Sequence, residues 1–441
     1  MSRSLAETPR GRPGLSAPGN RVAVRALWLA IARLGSQALM VVFTGLVARR
    51  LGSAGLGEYA FLAALLMVAN TLSTFGTDTL VIRRLVSERD FSLLTSALVV
   101  QLGLSVLLIG LAFAWHAEGP APSVEARAAW RAFALALLPL AFYGVFSAAL
   151  RAFERMAAYM WLSLGGAFLQ TLGVALALRP SSNVLTLAYL LLATQIAAAV
   201  LAAWLCWSQI PGFRLPRRAS WAAISSVIVA GWPLAALAVL MMLYQRLGVV
   251  MLGLIGAGTA TGWYAAALRV VEASKVAHNS LSGALLPALG RAAGRSAAPG
   301  ATATSQRALR VSWRAIMGFS VAASTALTLF AGPLSRILFG EGFGPTADAL
   351  RVIAWALIPF TLNAYFSLTH VAAGTERPAL VAVGVGILVM AVLSLLWIPR
   401  WGVMGASWSM LIAEWAQAGA YLLNWRRGRA SLPLAASPSE I

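Results

Sequence analysis

The chain has 441 residues, 60% of them hydrophobic and only 11% charged, with a formal net charge of +20. A mean hydropathy of +0.79 excludes an ordinary soluble domain and identifies a polytopic membrane protein. In a soluble chain the basic excess would suggest nucleic acid; here the arginines collect in short segments between apolar runs, where they set topology, and no nucleic-acid partner is expected.

Residues 1–25 are rich in Arg, Pro, Gly and Ser and lack any apolar period, which predicts a disordered cytoplasmic tail. The first apolar run ends at Arg49 and Arg50, where a cleaved leader would carry small residues, so it reads as a span and not as a signal peptide. Runs of roughly 20 or more apolar residues predict twelve spans, at 26–48, 57–76, 91–115, 130–151, 156–178, 184–208, 221–254, 262–289, 307–331, 347–373, 378–398 and 402–426. Pro139, Trp232-Pro233 and Pro359 predict bends in the fourth, seventh and tenth spans. The predicted organisation is an N-lobe over 26–208, a cytoplasmic linker over 209–220, a C-lobe over 221–426 and a cytoplasmic tail over 427–441.

With both termini inside, the inner segments hold roughly 20 basic residues and the outer ones about six. Arg49 and Arg50 are the main exceptions, lying outside without a topological reason. Trp115, Trp130, Trp221, Trp397 and Trp401 fall near span ends, as interfacial anchors do. No connection is longer than about 17 residues, which leaves no room for a soluble catalytic domain, and there is no G-x-x-x-x-G-K-[ST] phosphate loop. Cys206 is the lone cysteine and sits in an apolar run, so neither a disulfide framework nor a Cys-ligated metal is expected, and no cofactor motif is present.

An internal echo divides the chain. Leu51-Gly52 with Gly57-Glu58-Tyr59-Ala60 is answered by Leu252-Gly253 with Gly262-Trp263-Tyr264-Ala265. Each copy joins the first two helices of a six-helix half. Because six is even, both halves enter the membrane from the same side, which predicts parallel repeats around a central cavity.

The ionisable residues inside spans are the functional signal, because each costs roughly 2.5 to 3.5 kcal/mol at a helix centre and such groups face a bundle interior or a water-filled path. On the eighth span Tyr264, Glu272, Lys275, Asn279 and Ser282 fall within roughly 80° of one another, flanked by Arg269. The first span presents Arg33, Gln37 and Thr44 on one face, and the second Tyr59, Asn70, Thr74 and Thr77. The plain reading of the eighth span is a self-neutralising ladder in which Glu272 bonds Arg269 and Lys275. The functional one is that Arg33, Arg246, Arg269 and Lys275 outnumber Glu272 and await an anion, with Gln37, Asn70 and Asn279 as polar partners; the planar fork of arginine suits phosphate oxygens. Glu272 doubles as a candidate coupling group. Arg83, Arg84, Arg151 and Arg155 are candidates for gathering a headgroup at the inner mouth. Asn363, His370, Glu414 and Gln417 read as helix-to-helix hydrogen bonding, and His278, nearly opposite Glu272, as packing.

The run Ala48-Arg49-Arg50-Leu51-Gly52 with Gly57-Glu58-Tyr59, Phe75-Gly76-Thr77-Asp78 and Ile82-Arg83-Arg84 resembles the first hairpin of bacterial polysaccharide-biosynthesis flippases of the multidrug, oligosaccharidyl-lipid and polysaccharide exporter superfamily. In the second half Trp232-Pro233, Tyr244-Gln245-Arg246, Val250-Met251-Leu252-Gly253, Gly262-Trp263-Tyr264-Ala265-Ala266, Leu285-Leu286-Pro287-Ala288-Leu289 and Leu338-Phe339-Gly340 follow in that family's order. The resemblance implies an all-α, two-lobed bundle with a cationic cavity. It also implies movement of a polyprenyl-diphosphate-linked oligosaccharide from the cytoplasmic to the periplasmic leaflet of the inner membrane, in the company of membrane lipids, a polysaccharide polymerase and glycosyltransferases. One departure stands out. Many relatives carry an acidic residue shortly after the arginine of the seventh span, where this chain has Leu247-Gly248. The alternatives are a cation-coupled drug exporter on the same architecture, which would want an anionic cavity, and a membrane-embedded glycosyl polymerase or ligase, which would want a sizeable outer loop.

Overall fold

Backbone N–H and C=O groups find no water in the hydrocarbon layer, so a chain this apolar must satisfy them within helices. The computed structural model describes residues 18–88, 91–118, 124–179, 182–215, 219–296, 303–372 and 376–427. The expected N-terminal tail up to residue 17, residues 216–218 of the linker and the C-terminal tail from 428 lie outside the described residues.

Among the described residues the N-terminal half comprises α1 (Pro18–Thr74), α2 (Thr77–Glu88), α3 (Ser92–Glu118), α4 (Val124–Leu135), α5 (Leu137–Ala152), α6 (Met156–Ala177) and α7 (Val184–Gln209). The C-terminal half comprises α8 (Trp221–Leu254), α9 (Gly258–Ser296), α10 (Ala303–Leu329), α11 (Ala331–Phe339), α12 (Gly344–Ile353), α13 (Leu357–Ala372) and α14 (Glu376–Arg427). Two of these are double spans. α1 turns at Gly52 with φ 71° and α14 at Gly402 with φ 52°, a region that a residue without Cβ enters at little cost. With α4–α5 and α12–α13 each taken as one bent span, the twelve predicted spans are all present.

The bends follow the prolines. α4 gives way to α5 at Ala136, three residues before Pro139, and α12 to α13 through a 3₁₀ turn at Ala354–Ala356, just before Pro359. Each break lies where the proline ring would strike the carbonyl four residues earlier. By contrast α8 runs through Pro233 as one element. An unexpected bend of 71° separates α10 from α11, again shortly before a proline, Pro333. α2 was also unforeseen: residues 77–88 carry Arg83, Arg84 and Asp78 and are too polar for a length-and-hydropathy rule, yet they form an amphipathic helix continuing the second span beyond the turn at Phe75 and Gly76.

Labelling the two ends outer and inner after the orientation predicted by the arginines, the outer end carries a core shared by both halves, with Phe43, Leu56, Tyr59, Leu252, Tyr264, Val271 and Phe339 among its members. The two echoing hairpins meet there. A Cβ on Gly57 would stand 1.8 Å from the Gly258 carbonyl oxygen, and one on Gly262 would stand 1.9 Å from that of Ser53. The glycines of the repeat are thus reciprocal contact points between the lobes. At the inner end a core of Leu80, Leu94, Phe146, Leu150, Cys206 and Phe213 fills the N-lobe and takes in Val227 of α8. Cys206 is fully buried, its thiol directed at the Phe146 carbonyl.

Candidate functional site

Below the outer seal lies a cavity of about 260 Å³ walled by both spans of α1, by α4 to α7 of the N-lobe, and by α8 and α9 of the C-lobe. Its apolar lining includes Met40, Met67, Phe133, Leu140 and Val249; its polar lining is Thr44, Tyr59, Asn70, Gln170, Gln195, Arg246, Arg269 and Glu272. Gln170 and Gln195 carry no charge and stood out in no sequence pattern, so only the packing of α6 and α7 brings them here.

The charges form a triad. Arg246 Nη1 lies 2.9 Å from Glu272 Oε1 and Arg269 Nη1 donates to Glu272 Oε2 at 3.1 Å. Arg269 and Glu272 are three residues apart on α9, adjacent on a helix face; Arg246 reaches across from α8. The side chains are 15%, 14% and 19% exposed, so solvent screens them little. Two guanidinium groups share one carboxylate, leaving a net positive charge. The Nε–H of Arg246 is buried with no acceptor. Buried donors in native proteins are almost always paired, so a bare one calls for an explanation.

Lys275 stands apart from this triad. Its ammonium bonds Glu414 Oε1 at 3.0 Å and sits 4.5 Å from the Phe360 ring centre, while Asn363 donates to Glu414 Oε2 at 3.0 Å. With Glu414 5% and Lys275 18% exposed, this is a neutral pair tying α9 to α14 and α13. The expected Glu272–Lys275 rung is absent because Glu272 has both oxygens on arginines and Lys275 has its own carboxylate one helix away. His278 packs edge-on to Phe360 and faces the Ser320 hydroxyl at 3.3 Å, in keeping with a packing role. The side chains of Asn279 and His370 lie outside the described residues.

On α1, Thr44 lines the cavity and Gln37 lies two turns below it on the same face, half-buried, with its Oε1 lacking a donor. Arg33, one turn further, is exposed and does not line the cavity. At the inner mouth Arg83 and Arg155 are exposed. Arg84 crosses between lobes to Ser226 at 2.9 Å, and Arg151 lies 3.6 Å from Asp78 and over the Tyr159 ring. The outer arginines that topology left unexplained have distinct partners. Arg49 donates to the Ile337 carbonyl of α11, across the lobe boundary, and Arg50 to the carbonyl of Leu178, which caps α6 within the N-lobe. Both reach helix C-termini, where unpaired carbonyls favour a cation.

The missing acidic residue of the seventh span also has a structural counterpart. A Cβ at Gly248 would stand 2.9 Å from the Tyr264 ring. Here the space is filled by an aromatic ring, whose hydroxyl approaches the Met410 sulfur.

A family model described as polysaccharide biosynthesis protein matches residues 23–293, and one described as lipid II flippase MurJ matches residues 234–435. No curated protein matches the chain. Among solved structures, an inward-facing multidrug resistance MATE family transporter of the MOP superfamily aligns with a TM-score of 0.69 at 16% identity, covering 92% of this chain and 100% of that one. Lipid II flippase MurJ in an inward closed conformation aligns at 0.65 and 13% identity, covering 91% and 87%. The MATE multidrug transporter DinF-BH aligns at 0.68 and 18%, covering 98% and 100%. These likenesses establish a shared transporter fold.

Proposed function

This chain belongs to the polysaccharide biosynthesis protein family, and from that premise we propose that it is a flippase, not an enzyme, carrying a polyprenyl-diphosphate-linked oligosaccharide from the cytoplasmic to the periplasmic leaflet of a bacterial inner membrane. The observation that carries this reading is the charge count of the cavity: Arg246 and Arg269 on Glu272 alone, with a bare Arg246 Nε–H. A diphosphate oxygen supplies what that donor lacks, and charge-assisted bonds of this kind are about twice as strong as neutral ones.

In this mechanism Arg246 and Arg269 hold the diphosphate, Asn70, Gln170 and Gln195 bond headgroup or sugar hydroxyls, and the prenyl tail stays in lipid. Gln37 and Arg33 form a polar path on α1 leading from the inner side. Arg83, Arg84, Arg151 and Arg155 gather the headgroup at the inner mouth. Lys275 supports α9 and does not touch the cargo. A cavity of about 260 Å³ suits a headgroup and is far too small for an oligosaccharide, so the lobes must part during transfer, by alternating access about the outer glycine contact. Two negative charges moving outward against an inside-negative potential gain roughly 5 kcal/mol per 100 mV if they cross the whole field. The MATE likeness alone would equally suit a drug exporter; a net-positive cavity repels cationic drugs, and that separates the two.

The test is reconstitution into liposomes with a labelled lipid-linked saccharide, reading its arrival in the opposite leaflet. Wild type transfers it and the Arg246→Gln/Arg269→Gln double variant does not. Unimpaired transfer by the double variant refutes the diphosphate clamp, and cationic dye transport without lipid transfer by wild type would replace the flippase with an exporter.

A further inference from the structure

The N-lobe holds a second polar cluster whose residues do not line the cavity. Asp78 opens α2, with Oδ2 3.6 Å from the Arg151 guanidinium; its Oδ1 is buried and receives no hydrogen bond. Facing it from α3 is Gln101, only 1% exposed. The amide orientation is set by Thr77, whose hydroxyl gives its one proton to the Thr74 carbonyl at 2.6 Å and so can only accept from Gln101 Nε2, also at 2.6 Å. That leaves Gln101 Oε1 buried with no donor. Both bare oxygens border the space over Gly144, where a Cβ would stand 3.4 Å from Gln101 Oε1 and 3.6 Å from Asp78 Oδ1.

Two buried acceptors that share one gap form a hydrogen bond once one of them carries a proton. A hard divalent cation would ask for about six or more oxygens, and no such shell is present among the described residues. We propose that Asp78 is a proton-binding site of the transport cycle. In its protonated form the carboxyl donates from Oδ1 to Gln101 Oε1; in its ionised form it is held by Arg151 through Oδ2. The proton comes from inner-side water and returns to water, leaving the carboxylate.

The proposal deepens the flippase reading and rests on it, because Arg151 is one of the cations assigned to headgroup capture. When a diphosphate draws Arg151 away, Asp78 loses its counter-charge and the protonated form is favoured, so cargo and proton bind together. The groups facing Asp78 agree with this. α5 presents Arg151 and Tyr143, and α6 presents Tyr159 under Arg151. α3 presents the neutral Gln101, and the α8 residues nearest α2 are Ser226, Gly231, Leu234 and Ala235, none of them ionisable.

The decisive measurement is infrared difference spectroscopy of the full-length protein in lipid, between high and low pH and without cargo. Wild type should show a carboxylic-acid band on acidification, lost in Asp78→Asn, altered in frequency in Gln101→Leu, and appearing at a pH higher by about one unit or more in Arg151→Gln. A band that survives Asp78→Asn, or is untouched by Gln101→Leu because water bridges the pair, overturns the proposal, as does a response to sodium in place of protons. Should Asp78→Asn fail to insert, the other two variants decide. A second arm measures lipid transfer with and without an imposed pH difference: wild type responds to it, Asp78→Asn transfers without responding. If wild type moves no lipid-linked saccharide, the flippase reading falls while the spectroscopic result stands by itself; if Asp78→Asn responds as wild type does, the coupling falls.

Discussion

Two ionic clusters share helix α9, one turn apart, and they differ in a single respect. In the cavity, Arg246 and Arg269 divide one carboxylate between them; three residues after Glu272, Lys275 has Glu414 to itself, with Asn363 completing the carboxylate's hydrogen bonds. Both contain buried charge brought together by distant segments. The first is incomplete and leaves a donor bare, the second is closed. Burial and ionisability mark a residue as costly, but charge balance is what separates a place for a ligand from a brace between helices.

The largest effect expected from this contrast is functional. Arg246→Gln with Arg269→Gln should cut lipid transfer by about 100-fold or more, as two charge-assisted contacts of about 1.5 to 3 kcal/mol each would, with insertion and thermal stability little changed. Next comes the brace. Glu414→Gln leaves Lys275 buried without a counter-charge and should destabilise by about 3 to 5 kcal/mol, read as a lower unfolding midpoint in detergent. Replacing the pair together, Lys275→Met with Glu414→Leu, should recover most of that stability and keep transfer. A brace that proved dispensable while its double replacement abolished transfer would reverse the assignment of the two clusters.

A smaller effect is expected at the outer contact. Gly262→Val cannot fit 1.9 Å from the Ser53 carbonyl, so overpacking of about 1 to 3 kcal/mol should hold the lobes apart at that end, visible as a longer distance between spin labels on the two hairpins. The smallest separates the two neighbouring arginines. Arg49→Gln removes a bond that crosses the lobe boundary and should shift the same distance distribution toward the open form by about 1 kcal/mol. Arg50→Gln removes one within the N-lobe and should leave the distribution where it was.

Much of the fold could be read along the chain. The spans, the glycine turns at Gly52 and the proline-linked breaks near Pro139 and Pro359 depend on local properties: apolar length, the freedom of a residue without Cβ, the clash of a ring with the preceding turn. α2 and α11 escaped because each is short and amphipathic, and a rule tuned to apolar length passes over helices that gain their stability by packing one face. The site was legible in part. The stripe of Tyr264, Arg269 and Glu272 follows from helical spacing, and so does the Arg269–Glu272 bond.

The sequence by itself determined that this protein lives in a membrane, how many times it crosses, and that charge is buried on the eighth span. The tertiary structure alone decided which charges are balanced. Arg246 and Glu272 are on different helices, and Lys275 and Glu414 are 139 positions apart. Spacing along one helix decides which side chains share a face. Which opposite charge meets that face depends on how distant helices cross, and at contact distance in a low-dielectric interior that meeting sets the energy.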